Sequence, residues 1–303
     1  MTPDLVHIQH EYGLFGAQKG VAVIELILRY RLAGMPVAVT LHTVSEDIKD
    51  DERLILKHII DDCSAVIVHE EFQREILLRN FGHLPDVESK IHVIEHGIRE
   101  VPPILDAKSQ LELTGKKVIL LCGYFRPSKG FHRIVDIFPG ICRQEEDAVL
   151  VVAGKIRNIQ FDDYRAELFS SLNNSSVADR ITILRGQFPQ HTFDRIIAAA
   201  DVVVLPYERG AQSGIMAQCF AQGVPVVTSD LEAFQLLVGR SKGGLIAKSD
   251  AEFEQQILRV LGEDGCRGEL QNNIRKYVKE RAGWTTVAKQ HCDVYRSMVN
   301  VPY

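Results

Sequence analysis

Short β-branched apolar runs alternate with longer stretches of helical periodicity along this chain, and the alternation starts twice. In the first third the strand candidates are 5–9, 37–41, 65–68 and 91–94, separated by helical patterns around 21–31, 52–61 and 70–81. Pro102-Pro103 interrupts the pattern and reads as a linker. Six further strand candidates follow, at 118–121, 148–152, 181–184, 202–205, 224–227 and 245–247, and the tail 251–299 has a helical pattern throughout. Strands spaced by helices pair in parallel, since each crossover returns the chain to the same end of a sheet. The fold class is therefore α/β with two Rossmann-like, doubly wound parallel sheets. The second has six strands; the first, with four, is incomplete.

Composition narrows the function classes. Apolar residues make up 46% and charged residues 25% of 303, the profile of a folded globular chain rather than a disordered or collagen-like one. Acids outnumber Lys plus Arg by 40 to 35, which argues against a nucleic-acid partner. The six cysteines are scattered without a C-x-x-C pair and most sit in apolar runs, so buried free thiols in a reducing cytoplasm are expected. No run reaches the ~18 apolar residues of a membrane span, and Met1-Thr2-Pro3-Asp4 does not begin a signal peptide. The expectation is a soluble, cytoplasmic protein.

Open α/β sheets bind ligands beyond the carboxyl ends of their strands, so the strand-to-loop junctions carry the candidates. Gly123-Tyr124-Phe125-Arg126-Pro127-Ser128-Lys129-Gly130 joins a strand to a helix. Its glycines, its helix-start amides and the cations Arg126 and Lys129 suit a diphosphate, and a solvated basic helix start fits the segment equally well. It is neither a P-loop nor a dinucleotide fingerprint. Further on, Ser213 suits a helix N-cap, and the amides of Gly214 and Ile215 suit a phosphate or a sugar hydroxyl. His42 ends a buried strand, His96-Gly97 ends another, and His10-Glu11 follows a third. His7 and His10 point to opposite faces of their strand, and no D-x-D occurs. No metal ligand set and no cofactor are expected.

In order along the chain, several segments resemble retaining glycosyltransferases of the GT-B fold, specifically glycosyltransferase family 4. Gly123 to Gly130 is similar to that family's first strand-loop-helix of the donor domain. Ala198-Ala199-Ala200-Asp201 to Pro206-Tyr207 resembles its "aaADvvvlPy" strand, and Ser213-Gly214 through Gly223-Val224-Pro225-Val226-Val227 its "EAxAxGxPVV" stretch. Val39 to Thr43 resembles "TxHT", Ile91 to Gly97 resembles "IxVIxHG", and Gly283-Trp284 to Met298 resembles the closing helix that returns to the first domain. The resemblance implies a shortened acceptor-side domain over 1–103, facing a nucleotide-sugar domain over 104–282, with 283–303 returning to the first. It implies metal-independent transfer of a sugar, with retention, from a nucleotide-diphospho-sugar to a glycan, lipid-linked or small-molecule acceptor. Arg126, Lys129, Ser213, Gly214 and Ile215 would hold the donor diphosphate. Gln187, Phe188 and Gln218 would meet base and ribose, His42 would act on the transferring sugar, and His10, Glu11, His96 and Glu208 would contact sugar or acceptor.

Three departures accompany the match. Gln218 stands where the family has a ribose-binding glutamate, Tyr124 where it has an arginine, and the family's first strand and glycine-rich loop do not precede Leu5. They keep a second reading open, a catalytically degenerate GT-B protein that binds a nucleotide or a partner. Sugar-nucleotide epimerases and phosphorylases of GT-B type match less well. The helical pattern 21–31, with Arg29 and Arg31 beside an apolar face, fits a membrane-surface contact or an ordinary core-facing helix. A foreshortened domain with uncovered apolar surface would favour a second copy as partner.

Overall fold

Val37-Ala38-Val39-Thr40-Leu41 is buried along its whole length, as a parallel strand covered on both faces must be. The computed structural model describes residues 3–156, 160–209, 214–262 and 265–299. The chain divides into two units, Met1–Gly97 with Trp284–Tyr303, and Ile98–Gly283. Pro102-Pro103 lies inside the opening segment of the second.

In the first unit β1 (Val6–His10), α1 (Ala22–Leu32), β2 (Val37–Leu41), α2 (Asp50–Asp62), β3 (Ala65–Val68), α3 (Glu71–Phe81), the single turn α4 (Val87–Lys90) and β4 (Ile91–Val93) follow in order. The sheet runs β1-β2-β3-β4, all parallel. Crossovers that step one way are right-handed and so put their helices on one face. Accordingly Val23 and Ile27 of α1, Ile55, Leu56, Ile59 and Ile60 of α2, and Ile76 and Leu77 of α3 pack with Val37, Val39 and Leu41. The α2 set falls at i, i+1, i+4 and i+5, a single stripe of the helix. The alternate strand residues Ala38, Ala65 and Ile67 face the other way. They are covered by Val287, Val294 and Met298 of α13 (Trp284–Val299). Two alanines in the sheet let this helix approach closely, and burying its three apolar anchors contributes about 1.5–3 kcal/mol each.

The second unit opens with the single turn α5 (Ala107–Gln110) and then lays down β5 (Lys117–Tyr124), α6 (Phe131–Gln144), β6 (Ala148–Lys155), α7 (Asp162–Asn173), β7 (Ile181–Arg185), α8 (Gln190–Ala198), β8 (Val202–Leu205), α9 (Gly214–Ala221), β9 (Val226–Ser229), α10 (Glu232–Ser241) and β10 (Gly244–Ala247). Its sheet order is β10-β9-β8-β5-β6-β7. The winding leaves β5 one way through β6 and β7, then restarts on the other side of β5 with β8. Helices therefore cover both faces: Ile119 and Leu121 pack with Ile134 and Phe138 of α6, while Val118, Leu120 and Cys122 pack with Ile196, Met216 and Phe220.

Local chemistry explains where element ends differ from the sequence pattern. The strand expected at 224–227 begins at Val226, because Pro225 has no N–H for the ladder and contributes only its carbonyl, which accepts from Val203 N at 3.0 Å. The helical tail is broken into α11 (Asp250–Gly262), α12 (Cys266–Tyr277) and α13, with a π-helical turn at Val278–Ala282 before Gly283. Cys63, Cys122, Cys142, Cys219 and Cys266 are buried free thiols, and Cys292 is exposed. Among the described residues no helix is long and apolar enough to cross a membrane.

Candidate functional site

The reversal of winding between β5 and β8 leaves a crevice beyond the carboxyl ends of β5 and β6, where an open α/β sheet binds ligands. A cavity of ≈ 470 Å³ lies there, and Arg126, Lys129, Gln187, Phe188, Gly214, Ile215 and Gln218 all line it. The structure thus gathers seven sequence-selected residues from three separate segments, the 123–130 loop, the loop after β7 and α9. Ser213 lies outside the described residues, as does the Gly210-Ala211-Gln212 segment before it.

Two glycines make the cavity. Gly130 has φ +63 and a Cβ there would stand 2.0 Å from the Pro206 carbonyl oxygen, so only glycine lets the 123–130 loop turn against β8. A Cβ on Gly154 would meet the Gly123 carbonyl oxygen at 2.3 Å, so the ends of β5 and β6 close on each other. The turn aims Lys129 inward, with Nζ 3.4 Å from the centre of the Tyr207 ring. Burial, with the Arg126 guanidinium nearby, pulls the Lys129 ammonium down to about 8. Arg126 Nε is buried without a hydrogen-bond partner.

Sequence reasoning missed four residues here. Lys155, which ends β6, lines the cavity and donates from Nζ to Gln187 Oε1. Applying the strand-end rule to 148–152 as strictly as to 118–121 would have found it. Arg99 is bidentate to Asp194 at 3.0 and 2.5 Å, and its Nη2 also donates to Gln218 Oε1 at 2.5 Å. Gln190 Nε2 donates to the same Gln218 oxygen at 3.1 Å. The Gln218 oxygen is thereby used, and its amide N–H groups remain as donors toward the cavity it lines. Nothing in the local sequence links Arg99, Asp194 and Gln190 to Gln218.

The first unit holds a second cavity, ≈ 290 Å³, lined by His7, Gln9, Thr40, His42, His69, His96, Trp284, His291 and Tyr295 among others. His42 follows β2 and His96 lies beyond β4, and both were expected at strand ends. His69, directly after β3, was not singled out. His42 Nδ1 lies 3.3 Å from His69 Nε2, and the His69 and His96 ring centres are 5.0 Å apart. Burial pushes the His69 and His7 imidazoles down to about 4 and lowers His42 as well, so these rings are neutral at pH 7.

Of the remaining candidates, His10 is fully buried on the opposite face of β1, stacked on Phe15 with ring centres 6.0 Å apart. Glu11 accepts from Tyr12 N at 3.0 Å and Thr43 Oγ1 at 2.8 Å. Glu208 stands 3.6 Å from His132 Nε2. None of the three lines either cavity.

Comparison with known proteins adds four findings. Residues 116–263 match the family described as glycosyl transferases group 1. The chain is 26% identical over 266 residues to an uncharacterized glycosyltransferase of Methanocaldococcus jannaschii, covering 83% of this chain and 64% of that protein. It is 28% identical over 187 residues to the phosphatidyl-myo-inositol mannosyltransferase of Mycobacterium leprae, covering 61% and 47%. The chain thus spans less than two thirds of the length of these curated relatives. Its structure is similar to that of HepE from Anabaena, solved in complex with UDP and glucose. The TM-score is 0.73 at 17% identity, over 97% of this chain and 78% of that one.

Proposed function

We propose that this chain, a protein of the GT-B fold whose residues 116–263 belong to the glycosyl transferases group 1 family, moves a sugar from a nucleoside-diphospho-sugar to an acceptor hydroxyl. One observation carries the reading: among the described residues, the side chains lining the second unit's cavity include three cations, Arg126, Lys129 and Lys155, and no carboxylate. Such a lining favours a dianionic diphosphate. It also lacks the carboxylates through which a hard divalent ion is ordinarily anchored, and the chain's own cations take over that ion's neutralising role.

In the transfer, the acceptor oxygen bonds to the anomeric carbon while the bond from that carbon to the diphosphate oxygen breaks. Retention places both events on one face of the sugar, and the acceptor's proton passes to the departing oxygen. Charge grows on the leaving diphosphate, which is where Arg126, Lys129 and the Gly214 and Ile215 amides act. Phe188 and Phe193 offer apolar surface to a base, and the Gln218 amide N–H groups offer donors to ribose. In the first unit the sugar contact falls to His42. The acceptor class is a glycan, a lipid-linked carrier or a small molecule.

Calorimetric titration with UDP, GDP and ADP tests the site, and nucleotide release with the matching sugar donors tests the activity. Binding of one nucleoside diphosphate that Lys129→Ala weakens at least about tenfold, together with turnover, is the expected result. Tight binding without release across donors and acceptors would point instead to the degenerate binding module. No binding of any nucleotide would overturn the assignment of the cavity.

A further inference from the structure

Parallel strands in neighbouring positions bring the residues just past their carboxyl ends side by side. In the first sheet β2, β3 and β4 are neighbours, with Thr40 opposite Ile67 and Val68 opposite Val93. His42, His69 and His96 therefore meet, and one ring nitrogen from each lies within 4.8 Å of the others.

The backbone carbonyls behind His69 and His96 fix which nitrogen of each ring carries the proton. His69 Nδ1–H donates to the Ile94 carbonyl at 3.0 Å, leaving Nε2 as its lone-pair nitrogen. Gln9 is oriented from its other side, its amide nitrogen 3.3 Å from His7 Nε2, and its oxygen accepts from His42 Nε2–H at 2.8 Å. With the Gln9 amide in this orientation, His42 Nδ1 is a lone-pair nitrogen too. It faces His69 Nε2 at 3.3 Å, so two acceptors confront each other with no proton between them. A cation shared by the two nitrogens relieves this. Two nitrogens at ~2.0–2.1 Å from a tetrahedral zinc ion stand roughly 3.3–3.4 Å apart, which matches the separation. His96 Nδ1–H donates to the Gly97 carbonyl at 3.2 Å, which leaves its Nε2 free of a proton. A ring nitrogen that donates to a carbonyl while its partner nitrogen faces a metal is the usual arrangement of a ligating histidine.

We propose that His42, His69 and His96 bind a divalent transition-metal ion of the zinc class, three imidazoles leaving a fourth position open to an oxygen ligand in the cavity. Imidazole donors select this class over magnesium or calcium, which take oxygen. The site uses none of the side chains that line the second unit's cavity and shares with the transfer reading His42 and the expected sugar or acceptor contact His96. Its test therefore reads metal rather than turnover.

The untagged full chain, stripped with a chelator, is titrated with Zn²⁺ by calorimetry and with Co²⁺ by visible absorption. The expected result is a single zinc equivalent and the intense d–d band of low-coordinate cobalt. His69→Gln and His96→Gln should each lower zinc affinity by at least about 100-fold, and Gln9→Ala by about tenfold through the His42 ring it orients. His83→Ala, an exposed control on the same unit, should leave affinity unchanged. His96 is exposed, so His96→Gln keeps the test decisive if His69→Gln fails to fold, as circular dichroism will report. No metal uptake by the wild-type chain, or uptake undiminished in His96→Gln, overturns the proposal.

Discussion

Both sheets open a cavity at the carboxyl ends of their parallel strands, yet the side chains gathered there differ. In the second unit the strand ends supply glycine, arginine and lysine, and the cavity they enclose is cationic. In the first they supply histidine three times over, and burial keeps the His7, His42 and His69 imidazoles of that cavity neutral. The backbone plan is common to both. The residues at and just beyond the carboxyl end of each strand, up to five past it for Lys129, decide whether the crevice favours an anion or offers lone pairs.

The largest test of this contrast is Lys129→Ala. Losing a charge-assisted contact to phosphate costs about 1.5–3 kcal/mol, so the dissociation constant for the nucleoside diphosphate should rise by roughly 10- to 100-fold in calorimetry. Zinc affinity in the same variant should stay unchanged, and His96→Gln should leave nucleotide affinity within about twofold. Cross-talk between the two variants would break the comparison.

A pH series sharpens it further. The Lys129 ammonium titrates near 8, below its ordinary value, because burial disfavours the charged form. A folded-state value below the unfolded one means that the charged lysine costs stability at pH below 8, and that the cost is relieved as pH rises. Binding runs the opposite way, since the diphosphate needs the ammonium. Raising the pH from 7 to 9 should therefore weaken nucleotide binding by about tenfold while only part of this group's cost to folding is relieved, the rest going as the pH approaches the ordinary lysine value. Lys129→Arg, which does not titrate in this range, should flatten the binding profile. A profile equally steep in that variant would place the titration elsewhere.

Much of the contrast was legible in the sequence, and its limits follow from where the information lies. The ten strands of the described residues are visible as short apolar runs, most plainly β2, β3, β8 and β9, which are buried throughout and leave little else for their residues to be. The donor-side candidates were found because glycines and cations after a strand carry a local meaning. His69 carries none on its own: it reads as one more polar residue after a strand. Its significance appears only once β2, β3 and β4 are known to be consecutive neighbours in the sheet, a property of pairing rather than of spacing. Arg99 was hidden for the same reason, since its partners Asp194 and Gln218 lie 95 and 119 residues away.

Gln218 is where the smallest effect is expected, and it bears most directly on the departure from the family pattern. Its oxygen already accepts from Arg99 and from Gln190, so the amide offers only N–H groups to a ribose, whereas a carboxylate would accept from the ribose hydroxyls. Gln218→Glu places that carboxylate beside the Arg99 guanidinium, which stabilises it in the charged form. A charged acceptor makes a stronger hydrogen bond to a hydroxyl than a neutral amide does. Part of the gain is offset, because Arg99 must then divide itself between two carboxylates, the new one and Asp194. Affinity for the nucleoside diphosphate should therefore rise only about two- to fivefold, a fraction of the ~1 kcal/mol net value of one hydrogen bond. The 2′-deoxy analogue, which lacks a hydroxyl to donate, should show less of this gain in the same titration. An equal gain for both nucleotides would mean that Gln218 does not meet the ribose 2′-hydroxyl and that the substitution acts through Arg99 alone.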